Sequence, residues 1–188
     1  MTDFRILGAR LLADAGFLRV DTVDVEAPDG AALERVVVRH PGAVAVVPML
    51  DDRRALCVRQ FRAATGGNVL EIPAGKRDED GEAPEVTAHR EIEEEIGFRA
   101  GRLVKLAEFW NSPGFCDEYS HLFLALDLTP LGHRHTVSPE EAAMTVEEIA
   151  LGDVEALMVS RDLVDAKSIL GLLFAREHLA GRFPGLTG

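Results

Sequence analysis

The chain of 188 residues contains only two cysteines, Cys57 and Cys116, which match neither a metal-ligand spacing nor a disulfide framework. It has no apolar run that approaches the roughly 20 residues of a membrane span. No signal-peptide pattern opens the chain. These absences predict a cytoplasmic protein whose fold depends on a hydrophobic core.

Positive charge is also scarce. The 20 Lys and Arg residues are outnumbered by 32 Asp and Glu residues, which leaves a net charge of −12. Proteins that bind nucleic acid through its phosphates need a basic surface, so we expect no nucleic-acid partner. The same charge argues against an anionic membrane surface. An anionic small molecule remains compatible, provided that bound cations reverse the sign locally.

Hydrophobic residues make up 47% of the chain, and their spacing indicates strands and helices. Strand patterns come first, a helix follows, and more strands precede closing helices, an order that predicts a mixed α/β architecture. The predicted strands cover residues 17–26, 32–39, 43–50, 55–61, 69–72, 103–110 and 121–128. The predicted closing helices cover residues 154–159 and 165–180, and residues 129–143 form a long irregular segment. Residues 1–17 are mixed and show no clear pattern as a segment. We therefore expect an N-terminal β-hairpin extension over residues 1–40 and one domain over residues 41–188.

The helix that precedes these closing helices is predicted within residues 73–98. It lies between Pro84, which suits a first helical turn, and Gly97, which suits a helix end. Spacings of three and four residues bring Glu91, Glu94 and Glu95 into one arc of this helix. Three crowded carboxylates repel one another unless a cation lies among them. Ligands that offer only oxygen favour a hard ion such as Mg²⁺ or Mn²⁺.

Taken alone, such an acidic run is most often the solvated face of a helix. The wider pattern is more specific, since it combines fixed residue types at fixed offsets: Gly75, Glu82, Arg90, Glu91, Glu94, Glu95 and Gly97. This block resembles the Nudix box, with six residues instead of five between the first glycine and the first glutamate. The additional residue lies in the loop, so the helical spacing of the carboxylates is unchanged.

The resemblance implies a Nudix fold, which is an α/β/α sandwich around a mixed sheet. It also implies an enzyme that hydrolyses nucleoside diphosphates linked to another group. It also implies two or three divalent cations, Mg²⁺ or Mn²⁺. The implied metal ligands are Glu91, Glu94, Glu95 and the backbone carbonyl of Ala74. Arg90 would orient the carboxylates, and Glu82 would support them.

Residues 111–118, NSPGFCDE, resemble the substrate loop of the ADP-ribose pyrophosphatase branch of that family. The resemblance implies that Pro113, Gly114 and Phe115 contact the substrate. An ordinary Ser-Pro-Gly turn is the alternative interpretation. In the same branch, Arg59 and Arg62 would face phosphate or base, and Glu71 would bind ribose hydroxyls. Both arginines would otherwise be surface residues of an edge strand.

The segment 139–145 resembles the family's loop that brings a glutamate base to the attacking water. By register we favour Glu141 over Glu140 as this base. Ala143 stands where the family often has a further acidic residue. His133 and His135 flank Arg134 nearby, show no ligand spacing and are expected to be solvated.

These resemblances predict the hydrolysis of ADP-ribose to AMP and ribose 5-phosphate. A hydrolase of GDP-mannose or ADP-glucose is the alternative enzyme, and a Nudix domain retained as a ligand sensor is the alternative from another class. Because a two-stranded hairpin is marginal in water on its own, we expect it to pack on a second copy of the chain. Relatives in this branch imply a homodimer with exchanged N-terminal strands.

Overall fold

The computed structural model describes residues 3–77, 81–134 and 139–186. It contains two compact units. The smaller unit comprises Met1–Gly42 and Phe109–Ser120, and the larger comprises Ala43–Glu108 and His121–Gly188. The smaller unit therefore includes a segment from the middle of the chain in addition to the expected N-terminal extension.

The smaller unit is built on a three-stranded antiparallel sheet in the order β1 (Arg5–Ala15), β2 (Leu18–Glu26), β3 (Ala32–Arg39). Strands β2 and β3 confirm the two predicted strands, but the predicted hairpin is incomplete because β1 pairs with β2. The register of β1 shifts between Ile6 and Gly8 and again between Leu11 and Ala13. Such bulges interrupt the alternation of side chains, which is why the sequence pattern did not reveal this strand.

The larger unit contains the strands β4 (Ala43–Pro48), β5 (Arg54–Arg62), β6 (Gly67–Glu71), β7 (Ala74–Lys76), β8 (Phe98–Trp110), β9 (Tyr119–Pro130) and β10 (Thr145–Ala150). The last two residues of β8 and the first two of β9 belong to the smaller unit. They form a four-stranded sheet, β7-β4-β9-β8, and a three-stranded sheet, β10-β5-β6. The short strand β7 and the strand β10 were not predicted.

The helices of the larger unit are α1 (Pro84–Ile96), α2 (Pro139–Ala143), α3 (Val154–Ser160) and α4 (Ala166–Leu179), with a 3₁₀ turn at Leu151–Asp153. Helices α1, α3 and α4 confirm the predicted ones. Helix α2 lies within the segment that we expected to be irregular. Among the described residues, no helix is long and apolar enough to cross a membrane.

Strand β4 lies between two helices, which explains why its whole sequence is apolar. Val44 and Val46 belong to the core cluster that holds the buried side of α1. Val47, on the opposite face of the strand, lies against α4. A Cβ added to Gly171 would come within 2.9 Å of Val47 Cγ2, so only glycine lets α4 approach so closely.

The side of α4 that packs inward is not a continuous apolar stripe. The buried residues are Ser168, Gly171, Leu172 and Ala175. The side chain of Asp165 caps the helix by accepting a hydrogen bond from the Ser168 backbone. Small residues form this face because the helix lies close to the sheet, and hydrophobicity alone did not reveal it.

Candidate active site on helix α1

Helix α1 has one apolar face. Ala88, Ile92 and Ile96 are buried in the core cluster. Glu93, on a different side of the helix, forms an ion pair with Arg99 at 2.8 Å. The helix is therefore fixed to the sheet by one side, while a second side presents the acidic residues.

Gly97 ends α1 for two physical reasons. Its φ of +71° lies in the left-handed region that glycine adopts at little cost. In addition, a Cβ at this position would lie 2.7 Å from the carbonyl oxygen of His133. The glycine of the box thus ends the helix and lets the chain after β9 pack against that end.

Gly75 has a different role, which the structure alone reveals. An added Cβ would lie 2.0 Å from the carboxyl carbon of Glu91. Glu91 is 7% exposed, so its carboxylate rests in the space that a side chain on β7 would fill. The first glycine of the box therefore makes room for one of the predicted metal ligands.

Glu95 lies against the same short strand. Its Oε2 accepts a hydrogen bond from the backbone N–H of Ala74 at 3.2 Å, and the residue is 7% exposed. Burial, and then the negative charge of Glu91, raise the pKa of Glu95 well above its ordinary value. The structure thus brings two buried carboxyl groups together where a positive charge would be favourable.

Arg90 connects the remaining carboxylates of the box. Its Nη1 lies 2.9 Å from Glu91 Oε1 and 3.5 Å from Glu94 Oε2, and its Nη2 lies 3.6 Å from Glu82 Oε2. Glu82 also accepts a hydrogen bond of 2.6 Å from the hydroxyl of Thr87. One guanidinium group is thereby surrounded by three acidic side chains that are up to twelve positions apart in the sequence.

The donor set suits a hard divalent cation, because it consists of carboxylate oxygens and includes two buried acids whose negative charge a cation would offset. Within the described part of the chain, no three acidic, histidine or cysteine side chains already form a group that could hold a metal ion. Arg90 and Glu94 also line an open cleft of about 460 Å³, whose other wall includes Leu131 and His133.

Arg62 and Glu71, predicted to bind substrate, are brought together on neighbouring strands. Arg62 Nε lies 2.7 Å from Glu71 Oε1, and Nη2 lies 2.8 Å from Oε2. The Glu71 side chain is only 4% exposed, whereas that of Arg62 is 42% exposed. This bidentate pair leaves part of the guanidinium open to a ligand.

Arg59 is not part of that pair. Its odd separation from Arg62 along β5 directs the two side chains to opposite faces of the strand. Arg59 instead contacts Glu147 at 2.6 Å and Asp162 at 2.9 Å. These two acids account for its position without a substrate, although its assignment as a substrate residue stays a prediction.

In the smaller unit, the predicted substrate loop is attached to β3. Val38 donates its N–H to Phe115 O at 2.7 Å, and Asp117 donates its N–H to Val38 O at 3.1 Å. Arg39 forms ion pairs of 3.0 Å with Asp117 and with the buried Asp21.

The tip of the same loop is exposed. Pro113, Gly114 and Phe115 all face solvent, and Phe115 is 58% exposed. A Cβ added to Gly114 would meet nothing within 4 Å, so the fold does not require glycine there. An exposed aromatic ring on a firmly attached turn suits contact with a ligand.

The predicted base, Glu141, lies on α2 and is half-buried. Its backbone carbonyl accepts a hydrogen bond from Met144 N–H at 3.2 Å. The side chain of Glu140 and the whole of His135 lie outside the described residues, while His133 is exposed, as predicted. Arg134, which no sequence pattern singled out, donates hydrogen bonds to the carbonyls of Glu95 and Met144.

Comparison with known proteins agrees with this arrangement. The chain is 44% identical over 151 residues to an ADP-ribose pyrophosphatase of Bacillus subtilis, covering 80% of each chain. It is 33% identical over 179 residues to an ADP-ribose pyrophosphatase of Mycobacterium tuberculosis, covering 95% of this chain and 86% of the relative. Among solved structures, an ADP compounds hydrolase superposes with a TM-score of 0.80 at 27% identity, covering 95% of each chain.

The family follows from a match to a domain model. Residues 39–163 match the NUDIX domain, and this range includes the box, the Arg62–Glu71 pair, the substrate loop and α2. The match confirms the family that the sequence predicted. The chain therefore belongs to the Nudix family.

Proposed function

We propose that this Nudix pyrophosphohydrolase cleaves the pyrophosphate of ADP-ribose into AMP and ribose 5-phosphate. The observation that carries the proposal is the 44% identity to an ADP-ribose pyrophosphatase over four-fifths of both chains. The buried acids of α1 supply the chemistry that this reaction requires, and the loop at residues 111–118 supplies the substrate preference.

The residues that would hold Mg²⁺, or Mn²⁺ in its place, are Glu91, Glu94, Glu95 and the carbonyl of Ala74, with two or three ions among them. Divalent cations at such a site neutralise a pyrophosphate and lower the pKa of a bound water. The raised pKa of Glu95 supports this assignment, because a nearby cation would stabilise its ionised form.

The chain's own groups then have distinct tasks. Arg90 holds the carboxylates of Glu91 and Glu94 in place, and Glu82 supports Arg90 from the loop. A carboxylate oxygen of Glu141 accepts the proton of the attacking water as the new oxygen–phosphorus bond forms. The bond between phosphorus and the bridging oxygen breaks at the same centre, and that oxygen leaves with the second phosphate.

Substrate binding is assigned to the Arg62–Glu71 pair and to four further residues. Arg62 would meet a phosphate, while its partner Glu71 would accept hydrogen bonds from ribose hydroxyls. Phe115 would stack on the substrate, with Pro113 and Gly114 shaping the turn. Arg59 would contribute only after exchanging one of its two acidic partners.

We further propose a homodimer in which N-terminal strands are exchanged between copies. Strand β1 is exposed along its whole length. Its large apolar residues Ile6, Leu7, Leu11 and Leu12 are 57–74% exposed, which is costly in water unless a second copy covers them.

The test is a comparison of ADP-ribose, ADP-glucose and GDP-mannose as substrates with Mg²⁺, with identification of the products. We expect kcat/KM to favour ADP-ribose by about 10-fold or more, and AMP and ribose 5-phosphate to form in equal amounts. A preference for GDP-mannose would overturn the substrate assignment. Binding of ADP-ribose without turnover would indicate a ligand sensor instead.

A further inference from the structure

The side chain of Arg134 joins two parts of the proposed active site. Its Nη1 donates a hydrogen bond of 3.2 Å to the carbonyl of Glu95, in the last turn of α1. Its Nη2 donates one of 3.1 Å to the carbonyl of Met144, one residue after α2. One guanidinium group thus bridges the backbone of a predicted metal ligand and the end of the helix that carries the predicted base.

The contact with α1 satisfies a known need of helix ends. The last carbonyls of a helix have no partner within it, and a cation near them is favourable. Helix α1 has no basic residue in its own last turn, so Arg134 supplies this charge from another segment. The backbone around Arg134 is fixed to the same place, because Leu131 donates its N–H to Gly97 O at 2.8 Å.

The contact with Met144 fixes the other side of the bridge. The Met144 side chain is buried in the core cluster that also contains Ile92 and Ile96 of α1. Its backbone N–H donates to the carbonyl of Glu141 at 3.2 Å. A constraint on the Met144 backbone is therefore transmitted directly to Glu141.

We propose that Arg134 is a positioning residue that keeps Glu141 aligned with the carboxylate end of α1. This inference rests on the proposed function, in which Glu141 accepts the proton of the attacking water. An arginine suits the task because its planar group presents two nitrogens to two separate carbonyls, whereas a lysine presents one.

Kinetics of Arg134→Met and Arg134→Lys with ADP-ribose and saturating Mg²⁺ provide the first test. We expect Arg134→Met to lower kcat by about 10-fold with little change in KM, because misplacement of a base affects chemistry more than binding. Arg134→Lys should recover part of the loss. The control is Arg102→Met, since Arg102 is 59% exposed and lies 3.8 Å from its acidic partner.

A double variant separates positioning from a general structural effect. In a Glu141→Gln background, Arg134→Met should cause no further fall in kcat, because the residue through which it acts is already disabled. An equal, additive fall in both backgrounds would overturn the proposal. A raised KM with unchanged kcat would also overturn it, by assigning Arg134 to substrate binding.

Hydrogen exchange tests the bridge independently of activity. We expect faster amide exchange at Met144 in Arg134→Met but not in Arg102→Met. Should Arg134→Met fold poorly, the same increase is expected in Arg134→Lys. Unchanged exchange would overturn the bridge even in an active enzyme. If the unmodified protein does not hydrolyse ADP-ribose, the proposed function fails, while the exchange measurement still decides whether Arg134 restrains Met144.

Discussion

Replacing Gly75 by alanine tests whether Glu91 acts where the structure places it. The new Cβ would lie 2.0 Å from the Glu91 carboxyl carbon, whereas ordinary van der Waals contact begins at 3.4 Å. The carboxyl group would therefore have to withdraw by the difference, about 1.4 Å. Because it is the end of a flexible side chain, it can rotate away, and we expect the fold to survive.

The kinetic consequence should be large. A misplacement of about 1 Å costs up to roughly 10²-fold in rate, so we expect Gly75→Ala to lower kcat for ADP-ribose by about that factor. The Mg²⁺ concentration for half-maximal activity should rise as well, because a predicted ligand has moved. Thermal melting should show a shift of only a few degrees, about that caused by a loss of 1 kcal/mol or less.

Gly67→Ala is the matched control. A Cβ at Gly67 on β6 meets nothing within 4 Å, so this variant should keep both its stability and its activity. Nearly full kcat and an unchanged Mg²⁺ requirement in Gly75→Ala would refute this role of Glu91. Failure of Gly75→Ala to fold while Gly67→Ala folds normally would also refute it, since the clash would then lie in the backbone.

Four further outcomes are expected. Glu95→Gln should lower kcat by roughly 10²-fold without lowering the melting temperature, while Glu93→Gln should change neither, and equal losses at both would show a misassigned helix face. Glu141→Gln should lower kcat at constant KM in steady-state assays, and full activity would remove it from the mechanism. Light scattering should give twice the 20.4 kDa mass of one chain, and the mass of one chain would contradict the dimer. Burial raises the pKa of Asp165, but Lys167 and Ser168 outweigh burial and hold that pKa below its ordinary value. The ionised Asp165 therefore stabilises the folded state above about pH 4, and this stabilisation is lost as the pH falls further. Denaturant unfolding should accordingly show a loss of about 1–2 kcal/mol for Asp165→Ala at pH 7 and a smaller loss at pH 3, and a pH-independent difference would contradict this.

Much of the local structure was predictable because short-range rules produce it. The positions of Pro84 and Gly97 predicted α1, and strand patterns predicted β2 and β3. Three strands, β1, β7 and β10, escaped prediction, and for β1 and β10 the physical reason is evident. Bulges in β1 broke its alternation, and β10 is a six-residue edge strand that includes two adjacent glutamates and is held in place by pairing with β5.

The sequence by itself determined which carboxylates share a side of α1, because residues three and four apart are neighbours on any helix. Only the tertiary structure decided which other groups meet them. The pairing of β7 with β4 places Gly75 against Glu91, and β5–β6 pairing joins Arg62 to Glu71 while Arg59 turns towards Glu147 and Asp162. Such contacts depend on strand register and chain direction, which are set by packing between segments far apart in sequence and leave no periodic trace in the sequence.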